Sequence, residues 1–85
     1  MNKDHFAKSF GFVDYEEMVD NSTTVFRDKD VSWSIAKLPH GKYLTWDDAE
    51  IADDRVEVFF TREEAEEYLS VLRNKAKAEK KLPIN

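Results

Sequence analysis

Three features of the sequence predict a single α+β domain. Two apolar-alternating runs hinge on Pro39, His40 and Gly41 in VSWSIAKLPHGKYLTW, a third apolar run spans Val56 to Phe60, and a helical-period stripe begins behind Thr61. The expected architecture is one or two short N-terminal helices, an antiparallel β-meander of three to four strands, and a long C-terminal helix packed on the sheet. By residue this is a helical segment 1–22, a sheet 23–60, a helix 61–81 and a tail 82–85, all in one domain 1–85. A chain of 85 residues buries only about 60–65% of its unfolded surface. That is room for one small core and little room for an enclosed active site.

At the N-terminus, Phe6 and Phe10 are spaced i, i+4 and Gly11 follows, which predicts a short helix over 4–10. Asp14 caps a second one: its carboxylate reaches the unbonded N–H groups of the first turn while Glu17 reaches back, and Val13 is placed to staple onto Met18. Tyr15, Met18 and Val19 form its inward stripe. Asn21, Ser22 and Thr23 compete with the backbone for hydrogen bonds and end it.

Thr24 to Arg27 is β-prone, and Asp28, Lys29 and Asp30 connect it to the next strand. There Val31, Trp33 and Ile35 alternate with Ser32, Ser34 and Ala36, the period of a strand with unlike faces. The turn that follows decides the register. A two-residue loop would set Trp33 opposite Trp46, but Pro39 cannot adopt the positive φ such a turn needs at its first position. A type I turn closed by Gly41 as a bulge suits it and pairs Leu38 with Lys42. Val31, Trp33, Ile35, Tyr43 and Thr45 then share one face, and Ala36, Leu38, Leu44 and Trp46 the other. In the last strand Val56, Val58 and Phe60 alternate with Glu57 and Phe59, and Phe59 is assigned to the Trp46 face.

Thr61 with Glu64 makes a capping box, and Phe60 is placed to staple onto Ala65. Ala65, Tyr68, Leu69, Leu72 and Ala76 keep the helical period. Acidic residues in the first turns and basic ones in the last complement the helix dipole, and Pro83 ends the helix.

The net charge of −5 is unevenly spread: residues 73–81 hold Arg73, Lys75, Lys77, Lys80 and Lys81 against Glu79, a local +4, so the remainder carries −9. An acidic body repels phosphate and suits a basic partner, although plain solubility is the favoured account of it. The absence of Cys excludes disulfides, thiol nucleophiles and Cys-ligated zinc, and with no long apolar run or leader-like start it points to a cytoplasmic protein without a membrane segment.

No cofactor, catalytic or metal site is expected. His5 and His40 fall at the N-terminus and a turn tip, and two Gly cannot build a phosphate-cradling loop. Asp47, Asp48, Glu50, Asp53 and Asp54 put five carboxylates into eight residues, but without the spacing or the Gly of a calcium loop. Asp47 followed by Glu50 suits either one helical turn or a loop. The same carboxylates could mimic phosphates toward a nucleic-acid-binding partner.

Two resemblances add to this. The order of helix, antiparallel strands and helix is similar to that of a double-stranded RNA-binding domain, whose basic patch at the start of the last helix is replaced here by TREEAEE, Thr61 to Glu67. Between Trp33 and Leu69, W-x-I-x-x-L-P-x-G-x-Y followed by V-x-V-F-F-T-R-E-E-A-x-x-Y-L looks like small accessory proteins of phages and other mobile elements. That likeness implies an accessory or inhibitory protein.

The expected function is a non-enzymatic protein-binding module. Its contact surface, for a protein partner or a second copy, is the sheet face of Leu38, Leu44, Trp46 and Phe59 with the adjoining Asp47, Asp48, Glu50, Asp53 and Asp54. The competing expectations are direct nucleic-acid binding through the basic helix end and, third, an enzyme.

Overall fold

In the computed structural model, residues 3–28, 31–48 and 56–81 are described, with side-chain surroundings given through Lys75. The elements are α1 (Lys3–Ser9), α2 (Tyr15–Asp20), β1 (Ser22–Asp28), β2 (Val31–Lys37), β3 (Tyr43–Asp47), β4 (Glu57–Phe59) and α3 (Arg62–Lys81). The strands form one four-stranded sheet in the order β1-β2-β3-β4, every neighbour antiparallel. The chain is therefore an α+β fold: short N-terminal helices, an antiparallel meander, and a C-terminal helix packed on it.

The β2–β3 turn follows from Pro39 and Gly41. Leu38 N–H donates to the Lys42 carbonyl at 2.8 Å, and Gly41 N–H donates to the Leu38 carbonyl at 2.9 Å. Gly41 sits at φ +95°, which a residue with a Cβ reaches only under strain. Lys37 then faces Tyr43, Ile35 faces Thr45, and Ser34 faces Trp46, so the two tryptophans lie on opposite faces as the turn chemistry predicts. A Cβ at Gly41 would meet nothing within 4 Å, which isolates the backbone effect. Gly41→Ala is expected to lower stability by about 1–2 kcal/mol, read as a fall in the urea midpoint at constant slope.

β1 is longer than Thr24 to Arg27 and holds a bulge between Thr24 and Phe26. Thr24 faces Ser34, and unbroken alternation would return Phe26 to that same face. The extra residue, Val25, instead puts Phe26 opposite Trp33 and Arg27 opposite Ser32. Phe26 stacks on Trp33 with ring centroids 6.2 Å apart, and Arg27 crosses to the other face.

Each face has its own core. On one, Ala65 and Leu69 of α3 pack fully buried against Phe26 and Ile35, with Trp33, Tyr43, Phe59, Tyr68 and Leu72 around them. On the other, Phe6, Ala7, Phe12 and Met18 of the N-terminal segment lie on Ala36, Leu38, Leu44 and Trp46. This corrects the expectation of an open second face: Leu38, Leu44 and Trp46 retain 2%, 0% and 4% of their exposure. Phe59 is corrected too. It pairs with Tyr43 and meets Tyr68 at 5.3 Å, so it belongs to the α3 face, while Val58 takes the place opposite Leu44.

The caps form largely as their residues predict. Glu17 N–H donates to Asp14 Oδ1 at 2.9 Å, and Glu17 Oε1 reaches back to Val13 N–H at 3.0 Å. At α3 the exchange is reciprocal: Glu64 N–H to Thr61 Oγ1 and Thr61 N–H to Glu64 Oε1, both at 3.2 Å. The two apolar staples do not form. Val13 and Phe60 are 69% and 75% exposed, and Val19 of the expected inward stripe is exposed as well.

Candidate functional site

The acidic stretch does not act as one surface. Asp47 ends β3 opposite Trp33 and is buried on the α3 face, whereas Asp48 is exposed and joins β2 through Ser32 on the second face. Successive strand residues point to opposite sides, so the two carboxylates separate. Glu50, Asp53 and Asp54 lie outside the described residues. Among the described residues no three His, Cys, Asp or Glu come together in a way that could hold a metal ion.

Among the described residues, two features of the second face remain uncovered, and both follow from the shortness of its cover. α1 and α2 have seven and six residues, about 9–10 Å of helix each, against β strands of up to about 23 Å.

The first is an apolar edge. Val58, opposite the buried Leu44 in the short outer strand, and Phe60, just past the end of that strand, are 44% and 75% exposed. The Lys42 ammonium lies 4.8 Å from the Phe60 ring centroid and holds the ring against the hairpin.

The second is a polar cleft of about 260 Å³ at the opposite end of the face, where Thr24, Arg27, Ser32, Ser34 and Asp48 form the wall beside α2. Its serines are the polar half of the β2 alternation, and the β1 bulge brings Arg27 to them. Arg27 Nε donates to Ser32 Oγ at 2.7 Å, and Ser32 N–H donates to Asp48 Oδ1 at 2.7 Å. The Thr24 and Ser34 hydroxyls lie 3.5 Å apart. Deeper in, Trp46 Nε1 donates to Ser22 Oγ at 3.1 Å, and Ser22 donates to the Met18 carbonyl at 2.7 Å. Tyr15 closes this end, edge-on to Trp46 at 5.8 Å.

The Tyr15 phenol is held above its ordinary pKa of 10.0, first by burial and then by the Asp48 carboxylate, both of which oppose a phenolate. Its proton is therefore held more tightly in the folded state. The associated stability is present below pH 10.0 and is lost as the pH rises through the folded-state pKa. Asp48→Asn is expected to lower the Tyr15 pKa part of the way, because burial remains. Ring-carbon NMR of Tyr15 across an alkaline titration reads this directly.

The cleft thus offers hydroxyl groups, one guanidinium, one carboxylate and a phenol, a set suited to hydrogen bonding and charge recognition. Neither His5 nor His40 lines it. Sequence reasoning missed it because it depends on the bulge at Val25, which no Gly or Pro announces. The apolar edge was not legible either: the alternation with Phe59 on the second face put Val56, Val58 and Phe60 on the α3 side, whereas the observed pairing sets Val58 opposite Leu44. Comparison of the chain with protein-family models, curated proteins and solved structures gave no match.

Proposed function

We propose that the protein is a non-enzymatic protein-binding module that uses the apolar edge of β4. The observation that carries this is Phe60, an aromatic ring 75% exposed just past the end of the outer strand that bears Val58. Buried apolar side chains elsewhere serve the two cores, whereas these two serve neither, and an exposed aromatic anchor is the usual centre of a protein contact. Lys42 pre-orients the ring, which lowers the ordering cost of a partner's approach. The acidic remainder of the chain favours a partner with a basic rim around an apolar centre. The likeness of Trp33 to Leu69 to small accessory proteins of phages and mobile elements supports an inhibitory or accessory role for that contact.

Phe60→Lys tests the proposal, because the ring contributes little to folding. The variant is expected to keep its urea midpoint within about 0.5 kcal/mol and to lose a partner captured by the wild-type protein from the source cells. Undiminished capture by Phe60→Lys would contradict this surface. Among the described residues, no helix is long and apolar enough to cross a membrane.

A further inference from the structure

Within the cleft, Arg27 and Asp48 stand on either side of Ser32, one on its hydroxyl and the other on its N–H, yet they form no ion pair with each other. Arg27 comes from β1 and Asp48 follows β3, so their backbones flank the central strand β2 at about one strand spacing, ~4.8 Å, on each side. Opposite charges in one cleft normally close on each other. Here each is tethered instead to the same residue of the strand between them, and a gap is left over the hydroxyl floor.

The remaining hydrogen-bonding capacity is specific. The Arg27 bond uses Nε and leaves the two terminal guanidinium nitrogens outside it; the Asp48 bond uses Oδ1 and leaves Oδ2 outside it. Ser32 Oγ accepts from Arg27 and keeps its own O–H to donate. One side of the gap therefore presents donors to an anion, and the other presents an acceptor to a cation. The α2 side adds the apolar wall of Val19 and the Tyr15 ring.

From this arrangement we infer that the cleft binds a free α-amino acid as its zwitterion. The carboxylate meets the Arg27 guanidinium and the Ser32 hydroxyl, the ammonium meets Asp48, and an apolar side chain lies on Val19 and Tyr15. A phosphate dianion suits the site less well, because the Asp48 carboxylate faces the same space. A simple cation is disfavoured in the same way by Arg27. A volume of about 260 Å³ has room for one amino acid. The site is at the other end of the face from Phe60, so it stands apart from the protein contact proposed above.

The test is titration of the whole protein with leucine, leucinamide and N-acetylleucine, followed by amide chemical shifts in a nitrogen–proton correlation spectrum. Leucine is expected to shift the Thr24, Ser32 and Ser34 amides. Leucinamide lacks the carboxylate and N-acetylleucine lacks the ammonium, and each is expected to bind at least tenfold more weakly. Arg27→Gln should remove the preference for leucine over leucinamide, and Asp48→Asn the preference over N-acetylleucine. Both residues are exposed, and the unliganded spectrum of each variant shows directly whether it is folded. No shift at millimolar leucine, shifts elsewhere, or equal shifts with all three compounds would each overturn the inference. Partner capture through Phe60 is a separate readout, unaffected by either result.

Discussion

Trp46→Ala is expected to destabilise the protein by about 3–5 kcal/mol. The ring is 4% exposed, shares a core with Met18 and Phe6, meets Tyr15 edge-on at 5.8 Å, and donates to Ser22 at 3.1 Å. Its removal leaves a void at the centre of the second-face core. The Ser22 hydroxyl keeps its bond to the Met18 carbonyl but loses the indole N–H that donates to it at the α2–β1 junction. A domain of 85 residues has a total stability of about 4–13 kcal/mol, so the variant is expected to be largely unfolded at moderate urea. Chemical denaturation followed by circular dichroism measures this. A loss under about 1 kcal/mol would mean that the N-terminal helices do not cover the indole.

Leu69→Ala is expected to cost about 2–5 kcal/mol. Leu69 is fully buried where α3 crosses the sheet, among Phe26, Ile35, Trp33 and Tyr43. Ala65, one turn earlier, is too small to fill the void, and Tyr68 is already committed to Phe59. Because Leu69 and Trp46 lie on opposite faces of the sheet, they share no contact partner in either core. Their effects are expected to add within about 0.5 kcal/mol. The double variant is best built on an osmolyte-stabilised background so that its midpoint stays measurable. Strong non-additivity would mean one continuous core in place of two.

The fold was legible in the sequence wherever local chemistry decides geometry. Pro39 and Gly41 allow one turn, that turn allows one register, and that register separates Trp33 from Trp46. Thr61 and Glu64 announce α3, and Ala65, Leu69 and Leu72 define its inner stripe. What was not legible depends on where short segments dock. Phe6, Ala7 and Met18 sit on helices of one or two turns and Phe12 on the link between them, too short for a periodic signal to say which surface they cover. The face with Leu38, Leu44 and Trp46 therefore read as open when it is closed.

Phe59 was misassigned for a related reason. Its face depends on the register of β4 against β3, which no turn motif in the sequence specifies. The bulge at Val25 was silent as well, although it brings Phe26 to Trp33 and Arg27 to the cleft. Of the candidate contact residues, Asp48 alone among those described combines exposure with a place on the second face. Phe60 is exposed, while its expected partner, Ala65, is fully buried in the α3-face core.

The covered second face rests on the placement of α1 and α2, and one measurement tests it most directly. In a nuclear Overhauser spectrum of the native protein, the Trp46 indole is expected to show cross-peaks to the Tyr15 ring and to Met18. Its indole N–H, bonded to Ser22, is expected to exchange slowly with water. An indole N–H that exchanges as fast as a free tryptophan, with no cross-peak to Tyr15 or Met18, would mean that the face is open and that its apolar residues are available for binding.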